Sequence, residues 1–145
     1  MRVLFDTNVI PDALLARVPH SASAVELLDR VARRELDALM GATSVTTIYY
    51  LAEKVGGAVT ARKQISDLLS IFDVAPVTGR VVTDALSMRF KDYEDAVLHE
   101  AARHAGATGI VTRNTKDFTA SRLKCYQPAE LLTLFRATGP ATLRP

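Results

Sequence analysis

Val3-Leu4-Phe5 is apolar without interruption and gives way at once to Asp6-Thr7-Asn8. Such a short continuous run reads as a buried central strand, and the polar triplet reads as its exit. The same pattern returns along the chain, with short apolar runs separated by helix-like segments. That alternation predicts parallel strands joined by crossover helices in a sheet. In open sheets of this kind sites form beyond the carboxyl ends of the strands, which places Asp6 at the mouth of a crevice.

The remaining elements follow from local signals. Pro11 to Ala16 reads as a short helix. Ser23-Ala24-Val25-Glu26 has the form of a capping box that opens a second helix. Leu36 to Met40 reads as the second strand, broken by Gly41. Ser44 to Val55 is helical until Gly56-Gly57, and a further helix covers Thr60 to Leu69. Phe72 to Val77 is strand-like, with Pro76 pointing to an edge or a strand end. Thr78 to Arg89 is helical. Phe90-Lys91-Asp92-Tyr93-Glu94-Asp95-Ala96 opens an acidic helix that runs to His104 and stops at Gly106. Gly109 to Thr112 and Lys124 to Tyr126 are the last two strands. Pro128 suits the first position of a closing helix through Phe135. These boundaries give one domain over 1–136 and a Gly-, Pro- and Thr-containing flexible tail over 137–145.

Composition restricts the function classes. With 48% hydrophobic and 23% charged residues, the 145-residue chain has the balance of a soluble globular domain. No apolar stretch reaches the roughly 20 residues that a membrane span requires, and no signal-peptide pattern opens the chain, so a cytoplasmic protein without membrane contact is expected. Cys125 is the only cysteine, which excludes an internal disulfide and a cysteine zinc site; it reads as a packed thiol. The net charge of +2 says little, but Arg113, Lys116, Arg122 and Lys124 cluster after the Gly109–Thr112 strand. They read either as a solvated loop or as cations for phosphates.

Three acidic segments reach the same sheet edge: Asp6 after the first strand, Asp95 at the start of the acidic helix, and Asn114 with Asp117 after the fourth strand. Carboxylates gathered at one point repel one another and call for a cation or a shared proton. Mg²⁺ and Mn²⁺ take oxygen donors of this type. Asp92 is read as the N-cap of the acidic helix. Glu94, about 100° round the helix from Asp95, is read as solvated, and Asp12 as a surface residue. His99 lies one turn from Asp95 and is read as a surface histidine within reach of it. Thr7 and Asn8 are expected to orient Asp6.

Phe5-Asp6-Thr7-Asn8-Val9-Ile10, Asp95-Ala96 and Val111-Thr112-Arg113-Asn114-Thr115-Lys116-Asp117-Phe118, in this order and at these distances, resemble the PIN domain family, in particular the VapC-like toxins of toxin–antitoxin pairs. The resemblance implies a three-layer α/β/α sandwich with a five-stranded parallel sheet, and a Mg²⁺- or Mn²⁺-dependent endoribonuclease. It implies Asp6, Asp95 and Asp117 as metal ligands, with Asn114 beside them in the catalytic group. Arg113 and Lys116 would contact RNA phosphates. It further implies a small DNA-binding antitoxin as partner, and a homodimer. One departure stands out: Ser44 and Thr47 match the family's Ser-x-x-Thr-x-x-Glu pattern, but Tyr50 stands where its Glu belongs. Glu53, one turn later and about 4.5 Å along the axis, is the candidate replacement.

Two other functions are compatible with these residues. A PIN-like module with a depleted site would act by RNA or protein binding, and Tyr50 is the feature that favours it. A phosphatase-type domain with Asp6 as nucleophile would resemble the haloacid dehalogenases, but these carry a second Asp two residues on, where this chain has Asn8.

Overall fold

The computed structural model describes residues 1–138 and contains one five-stranded sheet, all of whose pairings are parallel. Its strands are β1 (Arg2–Phe5), β2 (Asp37–Gly41), β3 (Asp73–Ala75), β4 (Gly109–Val111) and β5 (Lys124–Tyr126), in the spatial order β3-β2-β1-β4-β5. The chain therefore leaves β1 toward one edge, then crosses back to lay β4 on the other side. Phe5 pairs with Met40 on one flank and with Val111 on the other. The point where the strand order reverses lies between β1 and β4, where open sheets place their ligands.

Successive side chains of β1 enter opposite layers, as the pleat requires. Val3 and Phe5 pack with α1 (Val9–Leu14), α2 (Ser21–Ala32), α3 (Ala42–Ile71) and α6 (Pro128–Thr138), through Ile10, Leu27, Val31, Ile48, Leu131 and Phe135. Leu4 enters the other layer with Leu39, Ile110 and the inner faces of α4 (Gly79–Ala85) and α5 (Tyr93–His104). The α/β/α sandwich expected from the sequence is the observed fold. None of the helices among the described residues is long and apolar enough to cross a membrane.

Several local expectations are corrected. The capping box at Ser23 does not form, because α2 starts two residues earlier at Ser21; Glu26 pairs instead with Arg30 and Arg136. The first short helix starts at Val9 rather than Pro11, and α4 ends at Ala85 rather than Arg89. The two helices read on either side of Gly56-Gly57 are present, as the two segments of α3 that meet at a kink at Gly57, whose φ of 84° favours glycine. Gly41 closes β2, as read, but packing also requires it: a Cβ there would stand 2.5 Å from Leu98 Cδ2 on α5. The closing helix runs through Thr138, past the Phe135 end read from the sequence, and residues 139–145 of the expected tail lie outside the described residues.

Candidate active site

Asp6 leaves β1 beside Thr112, which leaves β4. The backbone fixes this pairing, since Asp6 N donates to Val111 O at 2.9 Å. Asp6 is 6% exposed, and each carboxylate oxygen has one donor. Thr7 N donates to Oδ1 and Thr112 Oγ1 donates to Oδ2, both at 2.8 Å. Thr112 Oγ1 also accepts from Asn114 N at 3.1 Å, so one hydroxyl links Asp6 to the segment after β4. Thr7 thus orients Asp6 through its amide; its hydroxyl bonds Ser44 Oγ at 2.7 Å in the buried layer.

α5 begins where the acidic segment was expected to turn helical. Asp92 Oδ1 accepts from Glu94 N at 3.0 Å, the N-cap bond that closes the first turn. Asp95 then faces Asp6 across a cleft of about 270 Å³ lined by Asp6, Thr7, Asn8, Thr47, Asp92, Glu94, Asp95, Asn114, Asp117 and Phe118. Asn114 precedes the 3₁₀ turn Thr115–Phe118, which carries Asp117. Among the described residues, five carboxylates and no basic side chain line this cleft. Burial holds the Asp6 carboxyl above the usual carboxylate range, against the pull of its two hydrogen bonds and of Arg113. Asp95 is pushed up to about 7, by burial first and then by the charges of Asp6, Asp92, Asp117 and Glu94.

This donor set fits a hard divalent cation. It is all oxygen and carries excess negative charge, and burial with mutual repulsion pushes the Asp95 carboxyl up to about 7. A tighter group lies elsewhere: donor atoms of Asp84, Glu100 and His104 come within 4.8 Å of one another. Arg103 already neutralises that group, 2.9 Å from Glu100 and 3.6 Å from Asp84.

The other sequence expectations divide. Glu53 is exposed, accepts from Tyr49 Oη at 3.2 Å and does not line the cleft; Tyr50 is also exposed. Glu94 is exposed, as read, and also lines the cleft. Lys116 is exposed outside the cleft lining. Arg113 lies 2.7 Å through Nε from Oδ2 of Asp12, which is 1% exposed and not a surface residue. The Nε contact is ionic, without hydrogen-bond geometry, while Arg113 Nη2 donates to Asp12 Oδ1 at 3.3 Å. His99 is fully buried, bonded to Glu100 Oε2 at 2.8 Å rather than to Asp95. Its ring and that of Phe118 both pack on Phe90, with centroids 5.2 and 5.5 Å away. Thr112 is the site residue that sequence reasoning missed. Its signal was available: a hydroxyl one position past the strand that neighbours β1.

The PIN domain profile matches residues 2–116. Among solved structures, FitAcB from Neisseria gonorrhoeae is similar at 20% identity and a TM-score of 0.67, covering 88% of this chain and 98% of that one. VapBC2 from Rickettsia felis, bound to a DNA fragment from its promoter, gives 16% identity and 0.68 over 88% and 98%. Mycobacterium tuberculosis VapC20, described as a sarcin–ricin loop cleaving toxin, gives 16% and 0.58 over 74% and 86%. No curated protein sequence matches the chain.

Proposed function

The chain belongs to the PIN domain family, and on that premise we propose that it is a metal-dependent endoribonuclease, the toxin of a toxin–antitoxin pair. The observation that carries this reading is the cleft itself, where Asp6, Asp92, Glu94, Asp95 and Asp117 meet without a cationic side chain. Asp6, Asp95 and Asp117 would hold Mg²⁺ or Mn²⁺, with Asn114 completing the shell or positioning water. When bound, such an ion acidifies a water and stabilises charge on a phosphate. The reaction adds water across one phosphodiester bond of RNA and breaks one P–O bond.

The protein's own contribution is orientation and charge. Thr7 N and Thr112 Oγ1 hold the Asp6 carboxylate in one pose before any ligand arrives. Asp95, at about 7 in the metal-free protein, gives up its proton near neutral pH and so presents a carboxylate to the ion. Arg113, clamped by Asp12, sets a fixed positive charge near Asp6. Lys116, exposed nearby, supports a role on RNA phosphates. The VapBC2 structure, a complex bound to promoter DNA, supports a small DNA-binding antitoxin as partner; a homodimer and a cytoplasmic location belong to the same proposal.

The test is cleavage of single-stranded RNA with Mn²⁺, with chelator, and in Asp6→Asn and Asp95→Asn. Each substitution should abolish Mn²⁺-dependent cleavage, and the double variant should be no worse, because residues acting through one ion behave as a unit. RNA binding without cleavage in the wild type would replace this reading with the depleted binding module.

A further inference from the structure

A second cavity, of about 390 Å³, opens beside the acidic cleft and shares Asp92, Asp95 and Asp117 with it. Its other walls are Lys91 and Tyr93. We infer that this cavity is the subsite for the nucleotide next to the scissile phosphate, where Tyr93 stacks an unpaired base and Lys91 neutralises its phosphate. The inference rests on the ribonuclease reading above and assigns that site a substrate contact.

Tyr93 is 46% exposed at the start of α5. Its orientation is nevertheless set, because Tyr93 Oη donates to Val82 O on α4 at 2.7 Å. A ring fixed in advance loses little freedom when a base stacks on it. Stacking needs a π face and no particular base edge, so it suits single-stranded RNA. Lys91 is exposed and, among the described residues, forms no ion pair, although three carboxylates line the same cavity. An uncommitted ammonium at the rim of an acidic cleft offsets repulsion where a polyanion must approach. An aromatic face and a free cation beside the cleft match the two halves of a nucleotide.

The test is titration of a single-stranded RNA carrying one 2-aminopurine, with Ca²⁺ present, read by fluorescence quenching and affinity. Wild type should quench the probe. Tyr93→Leu, which keeps apolar bulk but no π face, should lose the quenching and bind roughly 5- to 150-fold more weakly, the size of one base–aromatic stack. Tyr93→Phe keeps the π face but loses the bond to Val82 O, so it should still quench and should bind more weakly than wild type but more tightly than Tyr93→Leu. Lys91→Gln should lower the slope of log affinity against log salt by about 0.7. Wild-type quenching and affinity in Tyr93→Leu would overturn the subsite while leaving the nuclease reading intact. If Tyr93→Leu does not fold, an unchanged salt slope in Lys91→Gln overturns it. A wild type that neither binds nor cuts RNA removes the nuclease reading and the subsite together.

Discussion

The backbone amide of Arg122 donates to His99 Nε2 at 3.0 Å, tying the loop that follows Asp117 to the buried face of α5. An amide can only donate, so Nε2 is unprotonated and the ring proton sits on Nδ1, facing Glu100. Burial lowers the His99 pKa from 6.5, against the opposing pull of Glu100, and the charges of Arg103 and Arg122 lower it further.

His99→Phe keeps the ring packed near Phe90 but deprives Arg122 N and Glu100 of a partner. It should cost about 1–3 kcal/mol in denaturant unfolding and speed hydrogen exchange at Arg122. Because the folded pKa is depressed, the His99 contribution to stability is present above 6.5 and lost as pH falls below it. The variant should therefore lose less stability on acidification than the wild type. Unchanged exchange at Arg122 would show that His99 does not hold the loop.

Asp95→Asn should raise the melting temperature of the metal-free protein at pH 8. The Asp95 carboxyl has a folded pKa of about 7 against 3.8, so the stability tied to its protonation is lost as pH rises from 3.8 through 7, and at pH 8 its charge burdens the fold in full. The relief must exceed the roughly 0.3–1 kcal/mol that an acid contributes at a helix N-terminus. Mn²⁺ should stabilise the wild type by mass action and the variant much less. Equal Mn²⁺-induced shifts in both proteins would reject Asp95 as a ligand.

Protons and metal compete for the same carboxyl, so Mn²⁺ affinity should weaken on acidification through pH 7. One displaced proton corresponds to as much as about tenfold per pH unit below that point. Calorimetry at pH 6 and pH 8 in two buffers of different ionisation enthalpy measures both the affinity and the proton released. A flat affinity over this range would contradict the Asp95 pKa.

Thr112→Val preserves shape and removes the donor to Asp6 Oδ2. Loss of such an orienting partner should weaken Mn²⁺ binding by roughly 10- to 100-fold. The fold should survive, since Thr112 N still donates to Tyr126 O in the β4–β5 pairing. Wild-type Mn²⁺ affinity in a folded Thr112→Val protein would show that Thr7 N alone suffices.

Glu94→Gln and Glu53→Gln separate the two candidates for an additional acid. Glu94 lines the cleft and raises the Asp95 pKa, so its loss should weaken Mn²⁺ binding several-fold. Glu53 is engaged with Tyr49 outside the cleft, and its loss should change the affinity little. A reversal of this order would place Glu53 at the ion and Glu94 in solvent.

The β1 and β4 strands, and the acids that follow them, were legible because local signals agree with the global fold there. An apolar run covered on both faces reads as a strand, and a polar exit reads as its end. The Asp92 cap was legible for the same reason, since capping is decided within one turn. The ion pair of Asp12 with Arg113 was not, because it joins residues 101 apart and makes a buried carboxylate look like a surface one. The same holds for His99, whose partners include Arg122, 23 positions on. Glu94 is exposed, as helix periodicity gave, but periodicity does not tell that the cleft is wide enough to include it beside Asp95.

The two donors to Asp6 come from its neighbour Thr7 and from Thr112, 106 residues later. A ribosome releases the first long before the second. Until β4 has docked against β1, Asp6 is a half-tethered carboxylate, and Asp95, Asn114 and Asp117 have no common place to meet. On the proposed reading, a toxin built this way stays harmless while it is being made. Its chemistry switches on in one step, when the late-made half of the chain closes over the early one.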